Sequence, residues 1–144
     1  MSQQLLVRRD TRAWITQVWI AFAASLLMCA YGVLQVQLQG LEKAFIATGF
    51  VFLLFASLVL AKSLRDNQIE KIDTPIWRGL VWLGFLASVV MLGWGLLTMA
   101  LQDWQRAYLM VSSLFMLSSA FTLSKTIRDN HEADLVEHGG PANQ

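Results

Sequence analysis

Residues able to do chemistry are few in this chain, and they stand apart from its long apolar runs. Cys29 is the only cysteine. A thiolate is a nucleophile and a metal ligand, but one cysteine forms neither an intrachain disulfide nor a CxxC site. Cys29 also lies within an apolar run, where the residue behaves as a small hydrophobe. His131 and His138 are the only histidines. With Glu132, Asp134 and Glu137 they supply the ligand types of a metal site, but within a short acidic stretch that reads as a solvated tail. No histidine falls in an apolar run, so none is placed to ligate a haem there. No carboxylate does either, which leaves a proton-coupled carrier nothing to titrate. The expectation is a protein that is not an enzyme and holds no cofactor or metal.

One constellation occurs twice. Lys62-Ser63-Leu64-Arg65-Asp66-Asn67 returns as Lys125-Thr126-Ile127-Arg128-Asp129-Asn130. Ammonium and guanidinium groups bind phosphate and carboxylate oxygens. Lys62, Arg65, Asp66, Asn67, Lys125, Arg128, Asp129 and Asn130 are therefore a candidate site for anionic lipid headgroups or a protein partner. A structural reading stands beside it. Lys62–Asp66 and Lys125–Asp129 have i,i+4 spacing for helix-surface ion pairs. Asn67 and Asn130 suit a helix C-terminus.

The elements that carry these residues follow from charge spacing. No Asp, Glu, Lys, Arg or His occurs in residues 13–41, 44–61, 79–102 or 107–124, runs of 29, 18, 24 and 18 residues. About 20 apolar residues cross the ~30 Å hydrocarbon core as a helix. A soluble bundle would carry charge on the outer face of each helix. The chain is 56% hydrophobic, with mean hydropathy +0.49. The fold class expected is all-α, an integral membrane protein with helices near 13–37, 44–65, 77–101 and 106–128. Arg8, Arg9 and Arg12 give the first run a basic start, but it is too long for a cleaved signal and reads as a span. A net charge of +1 gives no basic face for nucleic acid.

The spans form two copies of one unit. Shifted by 63 positions, residues 10–67 align without gaps on 73–130, with 21 identities. Asp10-Thr11-x-x-Trp14 matches Asp73-Thr74-x-x-Trp77, and Val18-Trp19 matches Val81-Trp82. Apolar bias does not generate tryptophans and charges in register, so the chain is duplicated. Two spans per copy make parallel repeats. The units expected are 10–67, 73–130 and a disordered tail over 131–144, where Gly139-Gly140-Pro141 follows the acidic residues.

Arg8, Arg9, Arg12, Lys62, Arg65, Lys71, Arg78, Lys125 and Arg128 fall on one side of the spans, and Lys43 and Arg106 on the other. Cationic loops stay in the cytoplasm, which predicts both termini inside. Trp14 and Trp77 at one boundary, and Tyr31, Trp94 and Trp104 toward the other, suit interfacial belts. Trp19 and Trp82 lie deeper and are expected between helices. Ala21, Ser25 and Gly32 in the first span match Gly84, Ser88 and Gly95 in the third. Small residues at this spacing mark a packing seam in lipid. Gly49, Phe52, Ala56 and Ser63 match Ser112, Phe115, Ser119 and Thr126 in a second stripe.

These features resemble a known family. Glu42-Lys43-Ala44-Phe45 with Lys62-Ser63-Leu64-Arg65-Asp66, and Gln105-Arg106-Ala107-Tyr108 with Lys125-Thr126-Ile127-Arg128-Asp129, look like the YiaA/YiaB inner-membrane proteins with their YiaAB two-helix domain. The resemblance covers about residues 13–130. Its second copy has Gln105 where the first has Glu42, which questions a role for that carboxylate. The resemblance implies a bacterial inner-membrane location and no established activity. The reading is an accessory protein working through lipid, a homo-oligomer or another membrane protein. The alternative is a small transporter or channel subunit, with a water-filled path lined by Ser112, Ser113, Ser118 and Ser119 in an oligomer.

Overall fold

The computed structural model describes residues 10–69 and 73–138, the side chains of 67–69 and 136–138 excepted. Among the described residues the chain forms four helices and no strand: α1 (Arg12–Gln35), α2 (Gly40–Ile69), α3 (Pro75–Thr98) and α4 (Asp103–His138). Each is long and apolar enough to span a membrane. In hydrocarbon every backbone polar group needs an internal partner, and a helix supplies it from its own segment. The exposed side chains agree, with Leu27, Leu34, Val51, Phe55, Leu83, Val90 and Trp94 all turned outward.

The duplicated ends of the helices have duplicated causes. Thr11 Oγ1 accepts from Trp14 N at 3.3 Å, and Thr74 Oγ1 accepts from Trp77 N at the same distance. Both threonines are N-caps, which explains the repeated Asp-Thr-x-x-Trp. At the opposite end of the bundle, Glu42 Oε2 accepts from Gln39 N at 3.3 Å, and Gln105 Oε1 accepts from Gln102 N at 3.2 Å. These are the reciprocal half of a capping box. A carboxylate and a carboxamide do this equally well, so Gln105 replaces Glu42 without losing the contact. Next to them, Lys43 Nζ donates to Leu34 O at 3.0 Å and Arg106 Nε donates to Leu96 O at 2.9 Å. Each cation satisfies a carbonyl left open at the C-terminus of the preceding helix. The Glu/Gln-Lys/Arg pair is thus inside the first turn of α2 and α4, and these helices begin earlier than expected.

Their other ends run later than expected. The tail over 131–144 does not begin at residue 131: α4 continues through His138. Arg128 Nε meets Glu132 Oε1 at 2.8 Å, an i,i+4 pair that carries the helix past the repeat. Ala133 is buried. Residues 139–144 lie outside the described residues.

Packing does not follow the sequence units. α1 packs along α4, α3 packs along α2, and α2 meets α4 in the middle; contacts within each hairpin are sparse. α2 and α4 are the central pair, with α1 and α3 on their flanks. The pairings repeat between the copies, α1 on α4 answering α3 on α2, as parallel repeats require. Matching contacts follow. A Cβ on Gly32 would stand 2.7 Å from Leu109 and 2.9 Å from Tyr108, and one on Gly95 would stand 2.6 Å from Phe45. Phe45 and Tyr108 are repeat equivalents. Both glycines allow an aromatic ring of the other copy to lie against the backbone. Between α1 and α2 a groove of about 370 Å³ remains, lined by Leu26, Cys29, Val33, Phe50, Leu54 and Met116 among others.

The seams correct two expectations. Ser25 and Ser88 are fully buried, and Ala21 is half-buried. Gly84 is not a close-approach position, since a Cβ there would meet nothing within 4 Å. Trp19 and Trp82 do not lie between helices; they are 50% and 42% exposed. The aromatic rings that do enter the seams are those of Tyr108 and Phe45, against Gly32 and Gly95.

Candidate functional site

Because α1 and α3 start where α2 and α4 finish, Arg12, Lys62, Arg65, Arg78, Lys125 and Arg128 gather at one end of the bundle. Arg8, Arg9 and Lys71 lie outside the described residues. The two Lys-x-x-Arg-Asp-Asn motifs lie in α2 near its C-terminus and in α4 two turns before its C-terminus. These helices are the central pair, so the endings face one another.

The ion pairs cross the repeat. Arg65 Nη2 meets Asp129 Oδ1 at 3.0 Å, and Arg128 Nη1 meets Asp66 Oδ1 at 3.6 Å. The expected i,i+4 pairs Lys62–Asp66 and Lys125–Asp129 do not form. Each aspartate turns inward to the partly buried arginine of the other copy, and Lys62 and Lys125 stay exposed. A guanidinium is planar and less strongly hydrated than an ammonium, so it tolerates the half-buried position better. Arg65 Nη1 also donates to Ser124 O at 3.3 Å. Below this level, Ser63 Oγ donates to Asp73 Oδ2 at 2.9 Å and ties α2 to the start of α3.

The two halves differ in one respect. Arg128 has a second carboxylate, Glu132, where Arg65 has Ile69 at the corresponding position. On the Arg65 side a cleft of about 300 Å³ opens between α2 and α4. Arg65, Lys125, Asp129 and Ser124 form its polar part, and Leu64 and Phe121 part of its apolar wall. Asn130 lines a separate pocket of about 470 Å³ with Asp10, Arg12, Ile15 and Asp134. The Asn67 side chain lies outside the described residues. The structure therefore joins Arg65, Asp66, Arg128 and Asp129 in one cluster, sets Lys125 at its edge, and leaves Lys62 and Asn130 apart. Glu132 belongs to the cluster, although its sequence context reads as tail. Its signal was the four-residue spacing from Arg128.

The apolar depth of the bundle holds no matching constellation. Ser25 Oγ and Ser119 Oγ lie 2.8 Å apart across the α1–α4 seam, and each also approaches a carbonyl of its own helix. A hydroxyl has one proton, so one donates across the seam and the other to its backbone. Ser112 Oγ donates to Tyr108 O at 2.7 Å, and Ser113 Oγ donates to Met110 O at 2.7 Å. Ser112 and Ser119 are buried and Ser118 is exposed; Ser118 and Ser119 line a pocket of about 130 Å³ with Trp14 and Thr122 among others. Cys29 is buried with Sγ 3.5 Å from Ser112 O. Among the described residues no buried side-chain N or O lacks a partner, and no group of three or more His, Cys, Asp or Glu is placed to hold a metal.

The family model described as the yiaA/B two helix domain matches residues 14–66 and again 77–129. The chain belongs to this family. Both YiaAB matches end on the Arg-Asp pair, so the crossed ion pairs join the last residues of two YiaAB domains. The four apolar helices of this tandem make it a multi-pass membrane protein. No curated protein and no solved structure matched the chain.

Proposed function

We propose that this tandem YiaAB protein is a non-enzymatic accessory component of the bacterial inner membrane, with both termini in the cytoplasm, acting through contacts of its helices with lipid or a partner membrane protein. The observation that carries this reading is the direction in which its polar groups point. Inside the bundle they are spent on seams and caps. At the cationic end, Lys62 and Lys125 remain outside the crossed pairs and face the surroundings.

The orientation is supported by the gathering of cations at one end, against Lys43 and Arg106 at the other, where both are engaged as helix caps. Contact through the outer surface is supported by its large exposed hydrophobics. Extraction of native membranes with a mild detergent, followed by purification and mass spectrometry, tests the proposal. Reproducible co-purification of a membrane protein or a lipid class enriched over the bulk membrane is the expected result. Recovery of a bare monomer would sink it.

A further inference from the structure

We propose that the cleft between α2 and α4 at the cationic end is a binding site for one anionic glycerophospholipid, with Arg65 and Lys125 on its phosphate and an acyl chain against Leu64 and Phe121. The inference rests on the reading above that the bundle works through its surroundings, and it names one partner and one place.

Three observations converge. First, the cleft is built for an amphipathic occupant. Its volume is about 300 Å³, with Arg65, Lys125 and Ser124 contributing polar atoms and Ala61, Leu64 and Phe121 contributing apolar surface. A phospholipid presents the same order, phosphate outermost and chain toward the membrane centre. Ser124 and Lys125 close the last charge-free run of α4, so this boundary falls where the hydrocarbon ends.

Second, the local charge is unbalanced. Two cations, Arg65 and Lys125, face one carboxylate, Asp129, which is held by Arg65 at 3.0 Å. Lys125 makes no ion pair with a described residue. Its ammonium is available to a phosphate oxygen. The Nη2 of Arg65 is fixed on Asp129 and its Nη1 on Ser124 O, which orients the guanidinium plane while leaving further N–H donors.

Third, the duplication supplies an internal control. The corresponding cations on the other half are Arg128 and Lys62. There Arg128 is bracketed by Asp66 at 3.6 Å and Glu132 at 2.8 Å. Two carboxylates on the one guanidinium leave no excess positive charge there, and Lys62 stands apart from them. Phe121 is also replaced there, by Leu58. One of the two equivalent sites has kept its affinity for an anion, and the other is neutralised from within.

The experiment compares the full-length protein with Lys125→Gln and Lys62→Gln. Each is reconstituted in nanodiscs of phosphatidylcholine with a minor fraction of phosphatidylglycerol. Native mass spectrometry after ejection counts the phosphatidylglycerol retained. Wild type and Lys62→Gln should retain one phosphatidylglycerol in preference to phosphatidylcholine, and Lys125→Gln should lose that preference about fivefold, as removal of one surface cation predicts. Inorganic phosphate at millimolar concentration should not displace the lipid, because it brings no chain. Equal losses in the two variants would reduce the effect to general surface charge and overturn the site, leaving the broader reading intact. Displacement by inorganic phosphate would assign the cleft to a free anion instead. A wild-type protein with no preference overturns the site, and the broader reading is then decided by the native-membrane extraction alone.

Discussion

At the residue scale, the decisive choice is which carboxylate each arginine takes. Asp66 and Asp129 each have a lysine four residues earlier on their own helix, and both pass it over for the arginine of the other copy. An exposed i,i+4 pair is worth a few tenths of a kcal/mol. A partly buried guanidinium that lost its carboxylate would cost more, because its desolvation would go unanswered. The amino-acid types of this cluster were legible in the sequence, but the pairing was not. Spacing along one helix reveals i,i+4 neighbours, whereas the crossed partners lie 64 and 62 positions apart. Arg65→Asp alone sets two carboxylates together and should destabilise the protein by about 1 kcal/mol, at the upper end for a half-exposed pair. Adding Asp129→Arg should restore most of the loss. Thermal unfolding in detergent reads both, and a double variant no more stable than Arg65→Asp would show that the contact does not matter.

At the element scale, the four spans were evident because their charge-free runs have no soluble explanation. Their boundaries were displaced for identifiable reasons. Glu42-Lys43 precede the expected second helix and Gln105-Arg106 straddle the expected start of the fourth, yet each pair caps two helix ends at once and so belongs to the first turn. The Gly-Gly-Pro and acid content after residue 130 suggested disorder, but Arg128–Glu132 continues α4 to His138. Of the small-residue positions, spacing identified the stripe without saying which members touch a neighbour. Gly32 and Gly95 lie under aromatic rings, and Gly84 does not. Gly32→Leu and Gly95→Leu should therefore each force α1 from α4 or α3 from α2, costing about 1–3 kcal/mol as overpacking does. Gly84→Leu should fall within about 0.5 kcal/mol of wild type. Equal effects at Gly84 and Gly95 in detergent melting curves would contradict this assignment of the seam.

At the scale of the whole molecule, the duplication was plain, but the way the copies combine was not. A small-residue stripe on α1 is equally consistent with packing on α2, its hairpin partner, or on α4. Loop length favours the first, since adjacent helices with short turns usually pair. The second is realised because Gly32 receives Tyr108 and Gly95 receives Phe45, contacts that exist only between copies. Neither two-helix unit fills its own seam. Each depends on the other, with the crossed Arg–Asp pairs closing the cationic end and the groove between α1 and α2 left open to lipid. Such an interlocked bundle explains why the two domains occur in one chain. It also brings the two endings together, which separately packed hairpins would not do.

The interlock is tested most directly by disulfide trapping in native membranes, with Cys29→Ala as background. Ser25→Cys with Ser119→Cys places two thiols across the α1–α4 seam, where the native hydroxyl oxygens are 2.8 Å apart. Leu26→Cys with Leu54→Cys places them across the open groove between α1 and α2. Rapid intramolecular cross-linking of the first pair, with little of the second, is the predicted result. Efficient cross-linking within the hairpin and none between α1 and α4 would contradict it.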